Sequence, residues 1–125
     1  MAHEHFKSCT DACNDCALAC DHCAASCLEE QDVAKMARCI RLDIDCAEIC
    51  RLAVAYMARG SELSSDVCEL CASICEACAQ ECEKHPMVHC KDCAKAYRRC
   101  AEECRRMATD QMRKQSGQWP AAAAH

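Results

Sequence analysis

The stretch from Cys9 to Cys27, "CTDACNDCALACDHCAASC", places six cysteines at gaps of 4, 3, 4, 3 and 4. Gaps alternating between three and four keep close to the helical repeat. On an α-helix, Cys9, Cys13, Cys16, Cys20, Cys23 and Cys27 therefore all fall on one stripe. In a bundle helix that stripe ordinarily belongs to leucine.

Three further runs repeat the spacing: Cys39, Cys46 and Cys50; Cys68, Cys71, Cys75, Cys78 and Cys82; and Cys90, Cys93, Cys100 and Cys104, with every gap inside a run equal to 3, 4 or 7. Breaks separate the runs. "EEQD" offers Asp32 as an N-cap, "RGSELSSD" sets Gly60 at a helix C-terminus and Ser64 or Ser65 at the next N-cap, and "KHPMVH" puts Pro86 near a first-turn position. The spacing predicts helices over roughly 4–29, 33–59, 66–84 and 87–114. With only two glycines and two prolines and little β-branched sequence, the chain reads as all-α. Short turns make it an antiparallel four-helix bundle with a cysteine-lined core over residues 1–115, followed by a tail, 116–125.

At 125 residues the chain is one domain's worth. Its 15 basic residues are scattered among 20 acidic ones, so no nucleic-acid footprint is present. No apolar stretch of about 18 residues would span a membrane. The start, "MAHEHFKSCT", lacks a basic segment followed by an apolar run, and the expected location is the cytoplasm, where thiols stay reduced. Helix geometry also disfavours disulfides: Cβ atoms at i and i+4 stand about 5–6 Å apart, and a disulfide wants about 3.8 Å.

A free cysteine packs as a small hydrophobe. Eighteen of them on core stripes would nonetheless bury little area compared with leucine, at about 25 cal/mol per Å². Soft metal ions on thiolates would offset that loss. Structural zinc commonly uses knuckles at turns, whereas here the C-x-x-C pairs lie within helices. Iron–sulfur runs of the form C-x-x-C-x-x-C are missing. Cu(I) accepts two or three thiolates, and seven C-x-x-x-C pairs are present. Their sulfurs can converge to about 4.5 Å, near two metal–sulfur bonds. A copper on two unshared thiolates carries net negative charge, costly in a dry core. Sharing each sulfur between neighbouring ions moves the expected capacity toward eighteen and away from nine.

The four runs, over residues 9–104, resemble the cytosolic copper storage proteins of bacteria, which are cysteine-lined four-helix bundles. The resemblance implies a store of many Cu(I) ions on all eighteen cysteines, a homotetramer, and uptake through one open end bearing histidines, matched here by His85 and His89. Up-down-up-down topology independently gathers Cys27, Met36, Cys39, Cys82, His85, Met87, His89 and Cys90 at one rim. The other rim gathers Phe6, Met57, Leu63 and Met107 as an apolar plug. Met36 is a candidate ligand, with core filling as its ordinary role, and His22 lies off the stripe.

Asp43 and Tyr97 interrupt the stripes at similar depth and invite a buried hydrogen bond, with a weak ligand role for Asp43 as an alternative. Leu42, Ile49, Leu52 and Tyr56 form a second apolar flank suited to a partner copy. Copper ions are the expected partners, with a copper chaperone as a candidate donor. Two other functions compete: general zinc or cadmium sequestration, which needs four-sulfur sites spanning helices, and a thiol redox protein. The latter usually wants a thiolate at a helix N-terminus beside a sheet. No hydrolytic constellation or phosphate-cradling loop is visible, and the chain reads as a binding protein without turnover.

Overall fold

The structure is a computed structural model that describes residues 6–114, so the proposed tail and the start of the first predicted helix lie outside the described residues. Four α-helices follow in order: α1 over Lys7–Leu28, α2 over Ala37–Ala58, α3 over Ser64–Glu83 and α4 over Val88–Lys114. Each helix packs against its two neighbours in the ring 1–2–3–4, with no diagonal contact between backbones among the described residues. This is the square antiparallel bundle that the four stripes predict. The described residues contain no strand, and no helix is long and apolar enough to cross a membrane.

Helix formation here owes little to capping. Phe6, Met36 and Leu63 stand at the N-cap positions of α1, α2 and α3, none with a side-chain cap. Asp32 precedes a short 3₁₀ turn, Val33–Met36, and makes no cap hydrogen bond, so the predicted second helix starts later as an α-helix. Ser64 and Ser65 are likewise not caps. They lie inside the first turn of α3 and are buried, while Ser61 Oγ accepts the Leu63 N–H at 3.1 Å. Pro86 falls two residues before α4 begins, outside its first turn. Gly60 behaves as predicted. Its φ of 65° follows the end of α2, Gly60 N–H bonds Met57 C=O at 3.0 Å, and Ser61 N–H bonds Tyr56 C=O at 3.0 Å, which together form the Schellman closure.

What holds the helices is their inward face. All eighteen cysteines are buried, and alanines such as Ala12, Ala47, Ala53, Ala72, Ala79 and Ala101 fill the flanks, letting backbones approach closely. The outward faces are pinned by ion pairs between neighbours: Arg51 with Asp21, Arg99 with Asp15, Arg98 with Glu83, and Arg105 with Glu76. Exposed pairs of this kind contribute about 0–1 kcal/mol each. Their main effect is to favour this ring order over its alternatives.

Two sequence expectations need correction. Leu63 is 39% exposed and does not join the plug, although Phe6, Met57 and Met107 are buried at that end as predicted. The second apolar flank of α2 is also not a free stripe, because Ile49 packs into the chain's own core and Leu42 and Tyr56 are half-buried. Leu52 alone of the four stays exposed, joined on the surface by Ile44, Leu18 and Leu70.

Candidate metal centre

Five of the i, i+4 thiol pairs close along single helices: Cys16–Cys20 at 4.0 Å, Cys23–Cys27 and Cys46–Cys50 at 3.8 Å, Cys71–Cys75 at 3.9 Å and Cys100–Cys104 at 4.0 Å. The predicted pair Cys9–Cys13 is instead bridged by Cys104 Sγ, 3.6 Å from each. In the pair Cys78–Cys82, the Cys78 thiol turns aside and donates to the Leu42 carbonyl at 3.0 Å. Contacts between helices are equally short, with Cys46–Cys75 at 3.4 Å, Cys13–Cys100 at 3.6 Å, and Cys16–Cys46 and Cys50–Cys71 at 3.7 Å.

The sulfurs form overlapping quartets. Cys13, Cys71, Cys100 and Cys104 lie within 4.8 Å of one another, as do Cys50, Cys71, Cys75 and Cys100, and Cys16, Cys46, Cys50 and Cys75. Each quartet shares two sulfurs with the next, so this half of the core is one continuous ladder. A second, upper set, Cys23, Cys27, Cys39 and Cys90, lies toward the other end, with Cys82 3.5 Å from Cys39.

Between the two sets sit Asp43 and Tyr97. The Tyr97 hydroxyl donates to Asp43 Oδ1, the hydrogen bond that the interrupted stripes predict, and the thiols of Cys93 and Cys39 reach Oδ1 and Oδ2 at 3.9 Å. Burial pushes the Asp43 carboxyl up to about 8, against the opposing hydrogen bond from Tyr97. Asp43 also groups with Cys23, Cys39 and Cys82 within 4.8 Å, so its oxygens lie within ligand reach of the upper set.

The two histidines part company. His89 Nδ1 lies 3.6 Å from both Cys23 Sγ and Cys90 Sγ, and its Nε2 is 2.9 Å from Glu30 Oε2. With Nε2–H donated to that carboxylate, Nδ1 keeps its lone pair toward the thiols, the usual outer support of a ligating imidazole. His85 faces away, its Nε2 3.0 Å from Glu81 Oε2. Glu81 is nearly buried. Burial raises its carboxyl, but hydrogen bonds from His85 and Arg38 and the nearby Lys84 charge outweigh that and hold it below the usual range. Met36 is buried in the core cluster, and His22 is exposed.

Sequence reasoning missed both glutamates. Glu81 could have been found from its i, i+4 spacing to His85, whereas Glu30 lies 59 residues from His89 and only topology joins them.

Thiol electrostatics differ within the upper set. Burial pushes Cys27 up, and it pushes Cys90 up to about 11, helped by the neighbouring Cys39 charge. Hydrogen bonds from Cys23 and Cys82 hold Cys39 well below the usual thiol range. One thiolate is thereby favoured among protonated neighbours.

Two sulfurs on opposite sides of one ion would stand about 4.6 Å apart, twice a zinc-like metal–thiolate bond of about 2.3 Å. Pairs at 3.8 Å subtend about 110° at such a bond length, so a single helix does not present the linear two-thiolate site that spacing suggests. A third sulfur from a neighbouring helix lies close enough to each pair to complete a bent site were an ion bound. The quartets span helices, as tetrahedral zinc requires, but neighbouring quartets share sulfurs, so only alternate quartets could be filled as separate four-thiolate sites.

Fold and site together define a helical-bundle protein that gathers soft metal ions on a shared column of thiolates. The chain belongs to the copper storage protein family, whose sequence profile it matches over residues 2–109. It is 50% identical over 88 residues, 70% of this chain and 82% of the relative, to the uncharacterized cysteine-rich protein YhjQ of Bacillus subtilis (strain 168). It is similar to the Cu(I)-bound copper storage protein BsCsp3 of Bacillus subtilis, with a TM-score of 0.79 and 50% identity over 86% of this chain and 99% of that one. A cytosolic copper storage protein from Streptomyces lividans, in a structure with five coppers, aligns at a TM-score of 0.82 and 36% identity over 86% of this chain and 95% of that one.

Proposed function

We propose that this chain stores many Cu(I) ions in the cytosol, on shared thiolates of its eighteen core cysteines, and takes them up at the end where His89 lies. The observation that carries the reading is the run of overlapping sulfur quartets, in which removing the sharing would leave buried negative charge at every ion. Sharing brings the ratio toward one ion per cysteine. The cytosolic location agrees with the Streptomyces lividans relative. The family's storage role supports reading the chain as a binding protein without turnover.

The uptake end is supported by partial exposure. His85 and His89 side chains remain 14% and 15% accessible, while Phe6, Met57 and Met107 seal the other end. His89 presents Nδ1 beside Cys23 and Cys90, so an arriving ion meets imidazole and thiols together. His85 acts at the rim with Glu81, and Met36 serves as a soft neighbour to the upper set. Delivery by a copper chaperone at this rim and assembly as a homotetramer belong to the same reading, with Leu18, Ile44, Leu52 and Leu70 supplying exposed apolar surface for partner copies.

Anaerobic titration of the fully reduced chain with Cu(I), against a chelator that reports free copper, tests the store. The expected breakpoint lies near one ion per cysteine, with helical circular dichroism retained. A breakpoint near four ions or fewer, or a preference for zinc when zinc is held constant, would overturn the reading in favour of a structural or sensing role. The uptake end has its own test. In a His89→Ala variant, stopped-flow loading of the first equivalents should slow by about tenfold, the lower end of the effect of disturbing a metal site's surroundings, with total capacity unchanged. Equal loading rates would place uptake elsewhere.

A further inference from the structure

At the sealed end of the core the four helices contribute one sulfur each at one level: Cys9 from α1, Met57 from α2, Cys68 from α3 and Cys104 from α4. Three are thiols and the fourth is a thioether. Cys9 and Cys104 stand 3.6 Å apart, and Cys68 Sγ lies 3.7 Å from Met57 Sδ, with both of those residues fully buried. Cys104 and Cys9 are further thiol partners of Cys68. The Met57–Cys68 separation falls inside the 3.4–4.0 Å interval of the thiol pairs along the ladder.

Methionine in a core is commonly a gap-filler. Here its sulfur faces the Cys68 thiol, which donates to it as S–H and as a thiolate would stand beside it at the spacing of the ladder's own thiol pairs. We infer that Met57 is a thioether ligand for Cu(I), paired with Cys68 in the last site of the column. This inference rests on the storage reading above and extends the ligand set beyond cysteine.

Charge gives the site its reason. Along the ladder a copper reaches neutrality by sharing thiolates with ions on both sides. At the sealed end there is an ion on one side only, so two thiolates there would leave unshared negative charge against an apolar plug. One thiolate and one thioether around Cu(I) are neutral without sharing, and both ligands are soft enough to prefer Cu(I). Leucine at position 57 would pack equally well and offer nothing to the ion.

The test uses the full chain labelled with ¹³C at the methionine methyl groups, reduced, and titrated anaerobically with Cu(I), a diamagnetic ion that leaves methyl signals sharp. A Met57→Leu variant, close to volume-conserving, assigns the Met57 signal. That signal should move as copper loads in the parent chain. It should keep its apo position in a Cys68→Ala variant whose other sites still fill. The Met57→Leu variant should yield one copper per chain to a chelator about tenfold faster than the parent, a loss on the scale of disturbed metal sites. A Met57 methyl that holds its apo position while the parent chain takes its full load would overturn the site and leave storage intact. A load of four ions or fewer would overturn the storage reading and this site with it, and the ion count alone tells the two failures apart.

Discussion

Copper-loaded protein should melt at least about 20 °C above the reduced apoprotein, and a strong Cu(I) chelator should return it to the lower transition. A ligand that binds only the folded chain adds about 2.7 kcal/mol per site at a free concentration of 100 Kd. Six such sites would add about 16 kcal/mol, comparable to the entire stability of an ordinary domain. For a domain near this size each kcal/mol moves the midpoint by several degrees. Thiols of the unfolded chain also bind copper, which subtracts from the gain. The unfolded chain cannot, however, hold Cys16, Cys46, Cys50 and Cys75 from three helices within one ion's reach. Circular dichroism melts of apo, partly loaded and fully loaded protein would measure the effect. A loaded midpoint within a few degrees of the apo value would mean that the ions bind no better to the fold than to loose cysteines.

Loading should also release about one proton per copper at neutral pH. Burial keeps thiols such as Cys27 and Cys90 protonated in the apoprotein, Cys90 up to about pH 11, so each new thiolate must lose its proton to the solvent. The sign is fixed by that direction: affinity rises with pH below this range and levels off above it, where no proton remains to be displaced. With one thiolate per ion, raising the pH from about 6 to about 8 should tighten binding by about 100-fold per copper. Two unshared thiolates per ion would release two protons and give about 10⁴-fold. Proton counting in weakly buffered solution therefore measures sulfur sharing directly. Two protons per copper would contradict the neutral column and put the capacity near nine. Cys39, like Cys9, Cys50, Cys93 and Cys100, has thiol hydrogen bonds that favour the thiolate and should contribute little to the count.

Much of the bundle is legible from the chain because helical periodicity is local. Gaps of three and four put cysteines on one stripe whatever the neighbouring helix does, and Gly60 ends α2 because a left-handed residue closes its last carbonyls. The inward burial of all eighteen cysteines follows from the same periodicity. Interrupted stripes were enough to pair Asp43 with Tyr97, since two defects at equal depth in a dry core must satisfy each other. Caps were read less well. Leu63, not a serine, occupies the N-cap of α3, and Ser64 Oγ is buried without a partner, because packing of the first turn into the core outweighed the local preference for a capped end.

Sequence alone determined which residue types line the core, in what order along each helix, and that the chemistry is soft-metal binding. Only the tertiary structure decided which sulfur meets which. Rotamer choice and helix register sent the Cys78 thiol to the Leu42 carbonyl, put Cys104 between Cys9 and Cys13, and set Met57 Sδ against Cys68. It also separated two histidines that looked alike in the chain, turning His85 to Glu81 and His89, through Glu30, toward Cys23 and Cys90. Spacing specifies the face of a helix to within a stripe, whereas coordination depends on distances of a few tenths of an ångström, which are fixed by how neighbouring helices pack.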